Sequence, residues 1–220
     1  MRKSLFVLSC CLLLSACSST ESKEEEVVKA PVAVMPPVKV TTAWLDTYES
    51  SVREAVKGTA FEFERRKTVL VVTAPVKGSF NPDRPEMLLP ISLGPITRVA
   101  KLLEADKEIA VLVLGHADSS GDNAKNRLLS EQRARAVTSI FRLSGLTHSR
   151  LQVMGLGSDS PRAANDSAAG RDLNRRVEII LTSQDTMAGL IAQYSQPAKS
   201  QLESTEQVAE ADQGKTAKAK

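Results

Sequence analysis

The segment Gly115–Val137, GHADSSGDNAKNRLLSEQRARAV, constrains this chain most, because it puts a charged side chain on the apolar side of a helix. At about 100 degrees per residue, residues 123–143 have one apolar and one polar side. The apolar side consists of Leu129, Ala136, Val137 and Ile140, and the polar side consists of Arg127, Glu131, Arg135, Thr138 and Arg142. Arg133 and Asn126 lie on the apolar side. An inward-facing arginine needs an anion to offset its desolvation, and that anion is either internal or a ligand.

Hydrophobic patterning on both sides of this helix predicts an α+β fold in which helices pack on one mixed sheet. Helices are predicted at Thr42–Lys57 and in the second part of Pro90–Ala105. Strands are predicted at Phe61–Glu64, Thr68–Ala74, Ile109–Leu114, Leu151–Met154 and Val177–Leu181, with Arg65–Lys67 as the turn of a hairpin. The first helix either packs on the adjoining domain or binds a partner.

The amino terminus is typical of an exported lipoprotein. Positive residues precede the apolar run Leu5–Leu14, which is too short for a stable transmembrane helix. Leu14-Ser15-Ala16-Cys17 resembles a bacterial lipobox, so residues 1–16 are predicted to be the signal peptide and Cys17 the lipidated residue. The alternative is an ordinary signal peptide with a chance cysteine. Ser18 after the cysteine favours the outer membrane, with acyl chains such as palmitate as the anchor.

Both ends of the chain have compositions that disfavour a packed core. Residues 17–41 combine an acidic cluster with prolines and are predicted to be a flexible linker. Residues 184–220 lose hydrophobic periodicity and are predicted to be a disordered tail with a helical start at Met187–Tyr194. The folded domain is therefore expected to span residues 42–183.

Several short motifs occur in order between Val69 and Leu181. They are the turn Phe80–Asp83, the GHAD sequence Gly115–Asp118, Asn126, Leu129-Ser130 with Arg133-Ala134, the turn Gly155–Gly157 and GRDLNRRVE at Gly170–Glu178. Together they resemble the signature of the OmpA-like domain, the peptidoglycan-binding module of outer-membrane protein A and the peptidoglycan-associated lipoprotein. Lys125 departs from the family, which often has tyrosine there. The resemblance implies an OmpA-like β-α-β-α-β-β sandwich.

The resemblance also implies a site for the diaminopimelate residue of a peptidoglycan stem peptide. Asp118 would hold the ammonium group of this ligand and Arg133 its carboxylate. Asn126 is a further implied contact, and Ala117 and Asp83 are candidates for the rim. Arg175 is expected to share a strand face with Val177 and Ile179 and to reach the ligand carboxylate. An internal Asp118–Arg133 ion pair is the alternative for the central residues.

Other functional classes have little support in the sequence. A net charge of +3 gives no concentrated basic face for nucleic acid, and two histidines are few for a metal site. No serine lies in a G-x-S-x-G motif, so neither an enzyme nor a cofactor is predicted. The predicted function is an outer-membrane lipoprotein that tethers the membrane non-covalently to peptidoglycan. The alternative is a wall-anchored accessory subunit, with possible envelope protein partners, or an activator of an envelope machine or a cell-wall hydrolase.

Replacing Cys17 with serine tests the lipoprotein prediction. Cys17→Ser removes the thiol that would be acylated, so we expect an unprocessed precursor or a soluble periplasmic form. Membrane fractionation with mass spectrometry of the mature amino terminus measures this. Cys11→Ser, within the leader, is the control and should leave processing unchanged. A Cys17→Ser protein that matures normally in the outer membrane would contradict the prediction.

Overall fold

The computed structural model describes residues 43–196. The predicted signal peptide, Cys17, the linker and residues 197–220 lie outside the described residues. The helices are α1 (Ala43–Val56), α2 (Pro90–Glu104), α3 (Asn123–Leu143), α4 (Ala168–Asn174) and α5 (Gln184–Ser195), with a short 3-10 turn at His148–Arg150. The strands are β1 (Glu62–Arg66), β2 (Val69–Pro75), β3 (Ile109–Gly115), β4 (Leu151–Gly155) and β5 (Arg176–Ser183). None of these helices has both the length and the hydropathy needed to cross a bilayer.

One mixed sheet organises these elements, in the strand order β1-β2-β5-β3-β4. Strand β3 pairs in parallel with β4, while the other neighbouring strands are antiparallel. The last strand, β5, therefore lies between β2 and β3 at the centre. This arrangement confirms the predicted α+β class with helices on one mixed sheet.

The two faces of the sheet follow from the alternation of side chains along each strand. On β3, Val111 and Val113 face the main core, which also contains the buried sides of α1, α2 and α3. Ala110, Leu112 and Leu114 face the opposite side. Because both sets are apolar and buried, this strand is a continuous hydrophobic run, as is usual for a strand covered on both faces.

Helix α1 packs on the domain, as one of the two sequence interpretations expected. Leu45 and Val52 are fully buried in the main core. The Tyr48 hydroxyl donates a 2.8 Å hydrogen bond to Asp106 Oδ2, which connects the helix to the segment before β3. The buried side of α1 is therefore part of the core.

Two details near the hairpin and α3 differ from the sequence interpretation. Arg65 and Arg66 belong to β1 instead of the turn, and both form ion pairs. Thr138, assigned to the polar side of α3, is buried, and its hydroxyl donates a 2.9 Å hydrogen bond to the Ala134 carbonyl. A local bond of this kind satisfies a buried hydroxyl, so periodicity alone gave the wrong side.

Helix α5 contains the predicted helical start at Met187–Tyr194 but is longer and packs on the domain. Residues 184–195 are helical, and Met187 packs on the second sheet face with Leu190, Ile191 and Tyr194. The predicted domain end at residue 183 is therefore too early. The four apolar residues of α5 give only a weak periodic signal in the sequence. The helix forms because it covers the apolar second face of the sheet, which would otherwise be exposed.

Glycines allow α3 to approach one end of the sheet closely. A Cβ atom at Gly115 would lie 1.9 Å from the backbone oxygen of Ser130, and one at Gly155 would lie 2.6 Å from Glu131 Cβ. Any larger residue at the ends of β3 and β4 would displace the helix. The close approach fixes the amino-terminal half of α3 above the strand ends, where Asp118 and Arg133 are found.

Two truncations test the role of α5. Removing residues 185–220 exposes the apolar face around Leu112 and Ile180, so we expect a loss of about 3 kcal/mol or more in the free energy of unfolding. Removing only residues 197–220 should change it by no more than about 0.5 kcal/mol. Urea unfolding of both truncated proteins and the intact chain provides the measurement. Equal stability of all three would show that α5 does not stabilise the domain.

Candidate ligand-binding site

Asp118 lies in the loop between β3 and α3 and is 7% exposed. Its Oδ1 accepts a 2.7 Å hydrogen bond from the Ser120 backbone N–H. Its Oδ2 forms an ion pair with the Arg175 guanidinium. The carboxylate is thus held in a fixed orientation from two directions.

Arg133 is 5% exposed, which confirms that it faces inward from α3. Its Nε donates a 2.7 Å hydrogen bond to the Pro85 carbonyl, and its guanidinium carbon lies 5.7 Å from the centre of the Phe80 ring. Within residues 43–196 no carboxylate forms an ion pair with this guanidinium. A carbonyl dipole and an aromatic face stabilise the cation only in part. The alternative of an internal Asp118–Arg133 ion pair is therefore not formed, since Asp118 pairs with Arg175.

The pKa values of Arg133 and Asp118 both lie below their ordinary values, but for different reasons. Burial, together with repulsion from Arg175, lowers the pKa of Arg133 to about 10, and attraction to Asp118 and Glu86 offsets only part of this. Burial alone would raise the pKa of Asp118, but hydrogen bonds from Arg175 and Ser120 outweigh burial and the pKa falls below its ordinary value. At neutral pH the site therefore contains the ionised carboxylate of Asp118 and the charged, incompletely neutralised guanidinium of Arg133.

Arg175 reaches the site by a different route from the one predicted. It follows the last residue of α4 as its carboxyl-terminal cap and lies outside β5. Its guanidinium pairs with both Asp118 and Asp172. Arg175 therefore reaches Asp118 from a helix cap and not from within a strand, while Arg176, the first residue of β5, is more deeply buried and pairs with Glu178 on the other side of the sheet. The principal contacts of Arg175 orient Asp118.

The remaining predicted residues support the loop. Asn126 Nδ2 donates to the carbonyls of Asp118 and Ser120, at 3.1 and 2.8 Å. The Ala117 N–H donates a 2.7 Å hydrogen bond to the Gly157 carbonyl. Asp83 is exposed, and its principal contact is a backbone hydrogen bond to Asn81 Oδ1 at 2.8 Å.

Sequence reasoning missed the role of the loop between β2 and α2. The Asn81 N–H donates to the Met87 carbonyl, and an isolated bridge joins Phe80 to Leu88. These contacts hold the Pro85 carbonyl against Arg133. A backbone carbonyl has no residue-specific signal, so only the inward position of Arg133 indicated that some acceptor had to be present.

Neither Ser130 nor the three cavities of the domain belong to the site formed by Asp118 and Arg133. Ser130 is fully buried, donating to the Arg127 carbonyl and accepting from the Gly157 N–H. Three cavities of about 460, 320 and 610 Å³ lie elsewhere, and none of the three is lined by Asp118 or Arg133. Asp118 and Arg133 lie near the carboxyl end of β3, outside these three cavities.

The fold and this loop define an α+β module with a charged site beside the end of the third strand. Residues 80–175 match the sequence model of the OmpA family, and this span contains Asp118, Asn126, Arg133 and Arg175. This match confirms the resemblance to the OmpA-like domain that the sequence motifs indicate.

Comparison with individual proteins agrees with the family match. The chain is 34% identical over 139 residues to the probable lipoprotein YiaD of Escherichia coli strain K12, covering 63% of each chain. It is 39% identical over 99 residues to the outer-membrane lipoprotein YfiB of Pseudomonas aeruginosa, covering 45% of this chain and 59% of that one. The chain thus spans about six-tenths of the length of these two relatives.

A solved structure shows the same fold. The cell wall anchor of the type VI secretion system from Pseudomonas aeruginosa superimposes with a TM-score of 0.53 at 27% identity, covering 61% of this chain and 95% of that one.

The pKa of Asp118 tests the orienting role of Arg175. Because the folded-state pKa lies below the ordinary value, ionised Asp118 stabilises the fold above that ordinary value, and this contribution is lost as the pH falls through the folded-state pKa. Arg175→Gln removes the opposing charge, so burial dominates and the pKa should rise. Carbon-detected NMR titration of the Asp118 carboxyl measures the change. Arg135→Gln, which breaks an exposed pair with Glu131, is the control, and an unchanged Asp118 pKa in Arg175→Gln would contradict this role.

Proposed function

We propose that this protein is an outer-membrane lipoprotein that binds peptidoglycan non-covalently through the diaminopimelate of the stem peptide and so tethers the membrane to the cell wall. Acylated Cys17 would hold the membrane, facing the periplasm, and the OmpA-like domain would hold the wall. Two relatives with lipoprotein names and the similarity to a cell wall anchor support this assignment.

The burial of Arg133 without a carboxylate partner in the described domain is the observation that carries the proposal. Its Nε is committed to the Pro85 carbonyl, whereas the two terminal nitrogens of the guanidinium can still donate to a planar acceptor. A ligand carboxylate would supply the missing negative charge and relieve the cost of burying the cation. The free end of diaminopimelate carries such a carboxylate beside an ammonium group.

Asp118 would receive the ammonium group. An ionised carboxylate has about four lone-pair positions on its two oxygens. Ser120 and Arg175 each occupy one position on a different oxygen, so acceptor capacity remains for a ligand N–H. Neighbouring sites for a cation and an anion favour a zwitterionic ligand over a ligand with a single charge.

Asn126, Ala117, Arg175 and Asp83 would complete the site. Asn126 holds the carbonyls of the loop, so its amide would fix the backbone that the ligand lies against. Arg175 would position Asp118 and, from its partly exposed side, contact the ligand carboxylate. Ala117 and Asp83 would contribute to the rim.

A second candidate function is a wall-anchored accessory subunit of an envelope machine, or an activator of an envelope machine or a cell-wall hydrolase. It is favoured by the structural similarity to the anchor of a secretion system. Purification from detergent-solubilised envelopes separates the two functions. A lone tether should bring down wall fragments with few stoichiometric proteins, whereas a subunit should bring down its partners in fixed ratio.

Variants of the two charged residues test the proposed site. Asp118→Asn and Arg133→Ala each leave one ligand charge unpaired, which costs roughly 2–5 kcal/mol in comparable interfaces. That cost corresponds to about 30-fold to several thousand-fold weaker binding. Sedimentation with purified sacculi measures binding, and circular dichroism shows whether each variant is folded. Arg135→Ala, on the exposed side of the same helix, should bind normally.

The chemistry of the wall provides an independent comparison. Peptidoglycan with lysine in place of diaminopimelate keeps the ammonium group but lacks the second carboxylate, so it should bind the intact protein weakly. In the Arg133→Ala protein the difference between the two wall types should disappear. Equal binding of the intact protein to both walls would rule out recognition of diaminopimelate.

A further inference from the structure

A second cluster of buried polar residues lies on the sheet face that carries α5. Side-chain alternation continues the series Ala110, Leu112, Leu114 to His116 and places Arg176 and Glu178 beside it on β5. His116, Glu178 and Arg176 are 2%, 4% and 6% exposed. The face is therefore apolar beneath α5 and polar, yet still buried, at its far end.

A cavity of about 610 Å³ opens onto this polar end. Arg66 and Glu64 of β1 form one wall, residues 159–162 form another, and Tyr194 closes the side next to α5. This volume is within the range of small-molecule sites, which combine apolar walls with a few fixed polar groups. The cavity is not part of the Asp118 site.

His116 has an unmet capacity for hydrogen bonding. Both ring nitrogens are buried, and within the described residues neither has a hydrogen-bond partner. The Glu178 Oε1 atom is 3.9 Å from Nε2, which is too long for a hydrogen bond. Burial and the proximity of Arg176 lower the pKa of His116 to about 3, so the ring is neutral and offers one donor and one acceptor.

The charges around the cavity are balanced. Glu178 accepts from Arg176 Nε at 2.8 Å and from Arg66 Nη1 at 3.2 Å. At the rim, Arg66 also pairs with Glu64, Arg162 pairs with Glu62, and Asp159 pairs with Arg127. Every cation and every anion therefore has an opposite charge, and neither an anionic nor a cationic ligand would gain from an unpaired partner.

We propose that this cavity binds a neutral, hydroxyl-rich ligand, a single sugar unit, with His116 at its floor and Tyr194 as the apolar wall. A hydroxyl group both donates and accepts, which matches the two unused positions of a neutral imidazole. The face of a sugar ring can pack against an aromatic side chain such as Tyr194. The inference is independent of diaminopimelate binding, because it concerns another cavity and a free sugar as the ligand.

The two histidines of the chain make the proposal testable by NMR on the intact protein. His116 lines the cavity, while His148 lies beside α3 in a different groove and serves as the internal control. Titration with N-acetylglucosamine or glucose should shift the imidazole resonances of His116 and leave those of His148 in place. A response to N-acetylglucosamine alone would identify an N-acetylated amino sugar as the ligand, and a response to both would indicate any hexose. Acetate serves as a third probe. A response to acetate without a response to either sugar, or no response to any of the three compounds, would overturn the proposal.

Two substitutions in α5 distinguish the cavity wall from general packing of the helix. Tyr194→Ala removes the wall and should weaken sugar binding at least about tenfold, whereas Ile191→Ala disturbs the same helix without lining the cavity and should stay within about twofold of the intact protein. An equal loss in both variants would overturn the role of Tyr194. Unchanged sugar binding by Arg133→Ala is expected, so failure of one site would not be mistaken for failure of the other.

Discussion

The central strands β3 and β5 have apolar side chains buried on both faces, so helices must cover the sheet from both sides. Helices α1, α2 and α3 cover one face and α5 covers part of the other. Both candidate sites lie where this cover ends. The charged site occupies the loop after β3, and the polar cavity occupies the part of the second face that α5 does not reach.

Within this frame, buried charges are neutralised to different degrees. Glu178 is surrounded by Arg176 and Arg66, a closed network that needs no further partner. Arg133 is equally buried, but within residues 43–196 it forms no ion pair, and its direct contacts are a hydrogen bond to a carbonyl and the face of an aromatic ring. Because an unpaired buried charge is costly, a protein that retains one is prepared for a ligand of opposite charge. This contrast distinguishes Arg133, the proposed recognition residue on α3, from the structural arginines Arg66 and Arg176 of the sheet.

Much of the fold could be predicted because its signals are local. The continuous apolar run in β3, the periodicity of α3 and the amphipathic pattern of α1 each occur within one segment. Predictions were wrong where a distant partner decides the outcome. Helix α5 is ordered by an apolar sheet face that its own sequence does not reveal. Thr138 is a separate case, because a local bond to the Ala134 carbonyl allows its hydroxyl to be buried. Arg175 was placed on a strand, whereas the turn after α4 directs it to Asp118.

The sequence by itself determined the inward position of Arg133, because helical periodicity fixes which residues share a side of α3. It also determined that Asp118 follows a buried strand. Only the tertiary structure decided that Asp118 pairs with Arg175 while Arg133 binds the Pro85 carbonyl. Such pairings depend on how separate loops meet in space, and side-chain chemistry alone permits several of them. The His116 cavity could not be predicted from the sequence for the same reason. Its lining residues come from β1, the end of β3, β5, α5 and a loop, which are far apart along the chain.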